Sequence, residues 1–437
     1  VVKHCQSVKN FQLIPEKVMA CVEEIEKKIK GDISGYKRDY LLETISAVAT
    51  RQRKNDNGEY LPAQIQKSYL KKLIPQGDKY LDGLVNTNII RRSGQYTPGE
   101  RSFEYSIEPN FKSPYARLPL TNAKLIRRLQ VVYNNKKTKN SKSVRGRSEQ
   151  VKYLRKLTMT EDVFDAIERH YSYKQTDSYN YALASATKIQ NRSFSFSVDK
   201  TSQRFHSNIT NMPKILIPYL RINGKSLNEA DVNNCQPYLT AGLLKHPQRF
   251  AEFTLDEDLF MMLNSLVVPD NQDVKTYTSL TTKGEIYEFL RDHAWQRGIP
   301  LSNDPEDARS QVKKELFRIM FGLSYVPAEK SGNRIQREMT LLFKEKFPTV
   351  WNLFSQIKGD YHIYNRFAIL LQRVESHIIL DIVAKEIENQ KLGPFLTKHD
   401  SVFLVDNVEA VEEILTNSFQ NFTGFSPKIS INRHKEV

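Results

Sequence analysis

Residues 393–406 read GPFLTKHDSVFLVD, two short apolar runs broken by His399-Asp400-Ser401. Such a pattern specifies a β-hairpin with the acid near its turn. A second acid has a comparable setting. In residues 226–244, SLNEADVNNCQPYLTAGLL, Asp231 ends a short strand-like run ahead of an Asn-Asn turn and an apolar helix. A carboxylate at a strand end is held rigidly. Two of them on adjacent strands supply the oxygen ligands that Mg2+ prefers, with water and substrate phosphates completing the shell. Either Asp alone is an ordinary turn residue or cap. Their neighbours carry the argument.

The chain has 437 residues and a net charge of +15, with 39% hydrophobic and 26% charged residues. That is the composition of a folded protein large enough for two or three domains. No apolar run approaches the roughly 20 residues needed to span a bilayer, and the first residues lack the apolar core of a secretory signal. The absence of an initiator Met suggests that a short upstream piece is missing. Cys5, Cys21 and Cys235 form neither a CxxC pair nor a Cys/His cluster, so free thiols and a cytoplasmic setting are expected. The basic balance points to phosphate, on nucleic acid or on an anionic surface. It is concentrated: residues 112–156 hold 14 Lys or Arg and one acid, Glu149. Residues 134–147 read as a solvated linker. The segments on either side, NAKLIRRLQVVY and QVKYLRKL, mix apolar and basic residues at helical spacing and are suited to gripping a phosphate backbone.

Three zones follow: 1–112, 113–200 and 201–437. In the first, residues 35–53, 63–74 and 78–92 read as amphipathic helices, and residues 93–107 as a hairpin turning at Pro98-Gly99. Three helices and a basic hairpin resemble a winged-helix module in pattern. That likeness implies DNA recognition by the third helix, with Arg101 near the wing tip. In the third zone, Asp304-Pro305 marks a helix start, after which Arg309, Lys313 and Phe317 or Phe321 fall on nearby faces before Gly322. Cations on one helical stripe can clamp a triphosphate, and an aromatic near the helix end can stack on a base.

Taken in order, these segments resemble the superfamily that unites family A DNA polymerases with the single-subunit RNA polymerases of phages and mitochondria. Asp231-Val-Asn-Asn-Cys-Gln236 resembles its motif A, Arg309-x3-Lys313-x7-Phe321-Gly322 its motif B and His399-Asp400 its motif C. Residues 202–214 resemble the segment whose arginine, here Arg204, meets primer–template. Residues 343–354 resemble the stretch after the fingers helix, and residues 370–383 the helix before motif C, where Gln372 would face the minor groove. The resemblance covers about residues 200–437. It implies an α+β right-hand fold of palm, fingers and thumb behind a winged-helix-like N-terminal domain, with the basic helices at 120–190 in the thumb's place. It also implies two Mg2+ ions (or Mn2+) on Asp231 and Asp400, with Arg309, Lys313, Phe321 and Gln236 binding nucleotide. Arg204, Gln372, His399 and Arg101 would contact nucleic acid.

The sugar is divided evidence. Gln236 stands where the DNA polymerases have a glutamate that blocks the 2′-hydroxyl, and Phe321 lacks the hydroxyl of the RNA polymerases' tyrosine. The x7 spacing, Ser376-His377 and His399-Asp400-Ser401 resemble the RNA enzymes. A filled gate penalises ribose, so the weight falls on dNTPs over NTPs. The expectation is a DNA polymerase extending a DNA (or RNA) 3′ end without proofreading, in replication of a phage or mobile element. The alternatives are an RNA polymerase or primase-like enzyme starting chains from NTPs, and a DNA-binding replication protein with an inactive core. No membrane partner is expected.

Overall fold

The fold is mixed α+β, with small sheets set among many helices. The structure, a computed structural model, describes residues 10–51, 53–54, 60–94, 102–140, 147–171, 175–322, 333–359 and 365–434. Arg101 and the expected Pro98-Gly99 turn lie outside the described residues.

The chain opens with β1 (Asn10–Pro15), α1 (Glu16–Ala20), α2 (Val22–Ile29) and α3 (Arg38–Ala49). A minimal hairpin follows, β2 (Arg53–Lys54) and β3 (Tyr60–Leu61), and then β4 (Ala63–Gln64). After α4 (Lys67–Leu73) and α5 (Gly77–Asn86) come β5 (Ile90–Ser93) and β6 (Glu104–Ile107). These strands form an antiparallel sheet in the order β4-β6-β5. β7 (Tyr115–Leu120) returns to pair with β1 along its whole length, and α6 (Ala123–Asn140) closes the lobe. All three expected helices are shorter than the pattern suggested; the first spans Arg38–Ala49, and Arg53 is already strand. Ala63 and Gln64 pair with Tyr105 and Glu104 as strand, so the helix begins at Lys67. The next helix ends at Asn86, because Asn88 takes a left-handed φ of 56° and the β-branched Ile89-Ile90 beyond it favours strand.

The second lobe starts with α7 (Ser148–Leu154), β8 (Leu157–Met159), α8 (Val163–His170) and α9 (Thr176–Gln190). The short strands β9 (Phe196–Val198), β10 (Phe205–Ser207), β11 (Leu220–Ile222) and β12 (Lys225–Ser226) lead into β13 (Asn228–Val232) and α10 (Cys235–Lys245). A helical insertion follows: α11 (Pro247–Ala251), α12 (Glu257–Ser265), α13 (Gln272–Lys283), α14 (Ile286–Gln296), α15 (Pro305–Phe321), α16 (Arg334–Lys346), α17 (Pro348–Lys358) and α18 (Arg366–Ser376). From α18 the chain runs through a π-helical turn (His377–Val383) into α19 (Ala384–Asn389). The hairpin β14 (Phe395–Lys398) and β15 (Ser401–Leu404), then α20 (Val408–Thr423) and β16 (Ile429–Arg433), complete an antiparallel sheet in the order β14-β15-β13-β16. The sheet thus brings together strands far apart in sequence, with β13 at its centre. Ala230 and Val402 pair on its packed face and are fully buried. The alternation of a strand then sends Asp231 to the other face, beside Ser401 and Ser430.

The cores divide elsewhere than the expected zones. Leu125 and Leu129 of α6 are buried with Leu41, Leu70 and Leu84 of the first lobe, whereas Val151 and Leu154 of α7 belong to the second core. Residues 113–200 thus contribute helices to both cores. Uniform charge concealed that the two basic helices turn their apolar stripes to different cores.

The junction is built from side chains. Asn191 of the α9 end exchanges two 2.8 Å hydrogen bonds with the backbone of Phe11 in β1. Asn180 of α9 accepts from Tyr115 N at 2.8 Å and donates to Ser113 O at 3.0 Å. The Arg117 guanidinium lies between the Phe11 and Phe164 rings, 3.6 and 3.7 Å from their centroids. No described helix is long and apolar enough to cross a membrane.

Candidate active site

The β14–β15 hairpin turns on His399 and Asp400, since Lys398 pairs directly with Ser401. His399 holds a left-handed φ of 53°, a strained conformation for a non-glycine residue that a two-residue hairpin loop requires. Beside it, Asp231 of β13 pairs with Ser401, and Val232 N donates to Asp400 O at 3.3 Å. The two aspartates thus end neighbouring strands at one edge of the sheet. Asn233 and Asn234 end β13: Asn233 N donates to Lys428 O at 2.9 Å, and Asn234, with φ 41°, sends Nδ2 to Thr281 O at 2.9 Å.

Both aspartates are half-buried, and both carboxyls are held above the ordinary carboxylate range. Desolvation is the main cause for each. The charge of Asp400 adds to it at Asp231, and the charge of Glu229 acts on both. Lys313 opposes the shift at both sites, and it is exposed with no ion-pair partner among the described residues. Two desolvated carboxylates of like charge, without a contacting cation, fit a hard divalent ion in an all-oxygen site. No described group of three or more His, Cys, Asp and Glu side chains is arranged to hold a metal. A magnesium site here would rest on two carboxylates, with water and phosphate as the remaining ligands.

α15 faces this edge. Its start has the chemistry read from sequence: Asp304 accepts from Asp307 N at 2.8 Å, with Pro305 in the first turn. Arg309 pairs with Glu288 at 2.5 Å and lies 5.1 Å from the Tyr287 ring centroid; Lys313 lies 6.0 Å from the same centroid. Phe321 ends the helix between Phe317 and Phe367, at 5.9 and 5.7 Å, as part of an aromatic train rather than a free face. The turn after it needs glycine, because a Cβ on Gly322 would lie 2.5 Å from Arg318 O.

Arg204 and Gln236 meet on one residue that the sequence did not single out. Glu375, at the end of α18 and 1% exposed, accepts from Arg204 Nε and Nη2 at 3.0 Å each, and from Gln236 Nε2. Tyr287 was missed too. It is 1% exposed, its hydroxyl has no hydrogen-bond partner among the described residues, and burial is the main reason its acidity falls, with the charge of Asp400 contributing. His399 faces His206 at 6.2 Å, and burial, helped by the charges of Arg204 and Lys398 and by coupling to His206, lowers its pKa to about 4. It is therefore neutral at pH 7. Gln372 is half-buried on α18, without a hydrogen bond to any described residue. The structure thus brings Asp231, Asp400, Arg204, Gln236, His399 and Lys313 to one region, with Arg309 joined to it through Tyr287. No family model matches the chain, and no curated protein matches its sequence.

Proposed function

We propose that this chain is a template-directed nucleotidyltransferase of the right-hand polymerase type. The β14-β15-β13-β16 sheet is its palm, α15 its fingers helix, and the helices from α7 to α9 take the thumb's place. The observation that carries the reading is the strand register that sets Asp231 beside Asp400 while Lys313 acts on both. Bound Mg2+ would lower the acidity barrier of an attacking 3′-hydroxyl and neutralise charge on the transferred phosphoryl. The chain's own side chains do the rest. Asp231 and Asp400 hold their carboxylates at fixed positions. Lys313, exposed and without an ion-pair partner among the described residues, would meet a triphosphate as a point charge. Arg309, braced by Glu288 and Tyr287, offers its remaining nitrogens to the same phosphates.

The first lobe supports a winged-helix reading through its order of helix, strand, helix, helix and hairpin, with the sheet order β4-β6-β5. Its third helix, α5, is a poor reader of DNA. Asp78 and Asp82 face outward, paired with Lys71 and Lys67, while Tyr80, Leu81 and Leu84 are buried. A nucleic-acid contact on the hairpin is supported instead by Arg91 and Arg92 on β5, both exposed, the former paired with Glu108.

The test is Mg2+-dependent incorporation of labelled dNTPs and NTPs on primed and unprimed templates. Wild type should incorporate, and Asp400→Ala should lose at least about a hundredfold in rate. Equal incorporation by the two proteins would remove the assignment.

A further inference from the structure

Of the eight large hydrophobic side chains exposed in the described structure, four crowd one place. Leu255, Phe260, Met261 and Val267, 65%, 42%, 63% and 86% exposed, lie on α12 and the segments at its two ends. Residues 251–274 around them hold six acids and no Lys or Arg, in a chain of net charge +15. Asp256 and Asp273 are used within the fold, accepting from Leu259 N and Thr349 N, and Asp270 pairs with Lys275. Glu252, Glu257 and Asp258 are exposed and pair with no described cation. α12 turns Leu259 and Leu263 inward, both fully buried, so Met261 stands on its outer face, one turn beyond Glu257 and Asp258. Acids of that density repel the phosphates of nucleic acid and of an anionic membrane. The chemistry that fits an apolar patch so bordered is a protein surface carrying apolar and basic groups.

Such a surface is present on the chain itself. α6 buries Leu125 and Leu129 in the first lobe and turns Lys124, Arg127 and Val131 outward, at three- and four-residue spacing on one face. Val131 is 49% exposed, and neither Lys124 nor Arg127 makes an ion pair with a described residue. Both helix faces stand open, so they do not cover each other within one chain. We propose that α12 of one copy docks on α6 of a second copy. Phe260 and Met261 pack on Val131, and Glu257 and Asp258 meet Lys124 and Arg127. The contact joins unlike surfaces. It closes into a twofold pair where each copy contributes both helices, and otherwise it propagates head to tail. A copy bound there covers the basic face of α6 and keeps nucleic-acid phosphates from it. The contact does not depend on the nucleotidyltransferase reading.

The test is sedimentation of the full chain from about 1 to about 100 μM, without nucleic acid, at about 50 mM and about 500 mM salt. Wild type should associate as its concentration rises, and the higher salt should weaken association at least about threefold. Met261→Asp and Val131→Asp should each weaken it about tenfold or more, by setting a charge in the apolar contact. Asp258→Lys and Arg127→Glu should each do the same by bringing like charges together. Combined in one chain, those two exchange the ion pair and should restore association above either single variant. All four side chains are exposed, so melting temperatures should stay within about 2 °C of wild type. A chain that stays monomeric to about 100 μM overturns the proposal. So does association that Met261→Asp weakens and Val131→Asp leaves alone, which would give α12 another partner surface. Failure of the exchanged pair to recover overturns the match of Asp258 with Arg127 and, with it, the docking of α12 on α6.

Discussion

Each lobe contains a carboxyl group held well above its ordinary pKa, and the two settings differ in kind. In the first lobe Glu43 is raised to about 7, by burial alone. Gln12 Nε2 donates to it at 3.1 Å, and the charge of nearby Arg51 partly offsets the burial. It is an acid on which no other carboxylate acts, with one cation, Arg51, nearby. In the second lobe Asp231 and Asp400 are raised by burial too, but there each carboxylate has other carboxylates as neighbours, and the charge that opposes the shift most, Lys313, is exposed. Burial by itself marks no site. Like charges kept together against their repulsion do, because a fold gains nothing from that arrangement.

The sharpest way to break this comparison is to neutralise one acid in each lobe. Asp231→Asn should abolish incorporation yet leave the apoprotein as stable or more so, since it removes a repelling charge; a melting curve and one assay decide it. Glu43→Gln should leave incorporation unchanged.

Proton linkage separates the lobes next. An acid with a raised folded pKa contributes stability that is present below its unfolded pKa and lost as pH rises through its folded pKa. For Glu43 that window runs from 4.5 to about 7. Glu43→Gln should flatten the fall in melting temperature across it, by about 2 °C or more, with or without Mg2+. The Asp231–Asp400 pair loses stability in the same direction, above the ordinary value of 3.8. There Mg2+ should restore it, raising the melting temperature more at pH 8 than at pH 5, and Asp231→Asn should cancel that difference.

Tyr287→Phe tests a smaller effect. Its hydroxyl is buried without a hydrogen-bond partner among the described residues, so deleting it should not destabilise the chain. If the partner arrives with the nucleotide, KM should rise about three- to tenfold. A loss of thermal stability with unchanged KM would make Tyr287 a packing residue.

The smallest effect is expected on the first lobe. Arg91→Ala with Arg92→Ala should weaken template binding uniformly and reduce the log–log salt slope by at most about 2. Substituting Lys79, the exposed base on α5, should change little.

What the sequence made legible was local chemistry. The cap at Asp304-Pro305, the two-residue turn at His399-Asp400 and the strand ending at Asp231 each follow from a few adjacent residues. What it concealed was long-range or divided. Glu375 meets partners 171 and 139 positions away, and Tyr287 has no signal beyond an apolar helix face. β4 was hidden because two residues of strand cannot outweigh the helical pattern that follows them. The fate of residues 113–200 depended on which core each basic helix found.

The fastening of β1 to α9 has a mechanical consequence. With Asn180 and Asn191 occupying backbone groups of the ribbon and Arg117 clasped between two rings, the lobes have a weld where many two-part proteins have a hinge. Whatever the first lobe grips is therefore held at a set span from Asp400. On the proposed polymerase reading, the molecule would act as a caliper, with a fixed length of template between its anchor and Asp400.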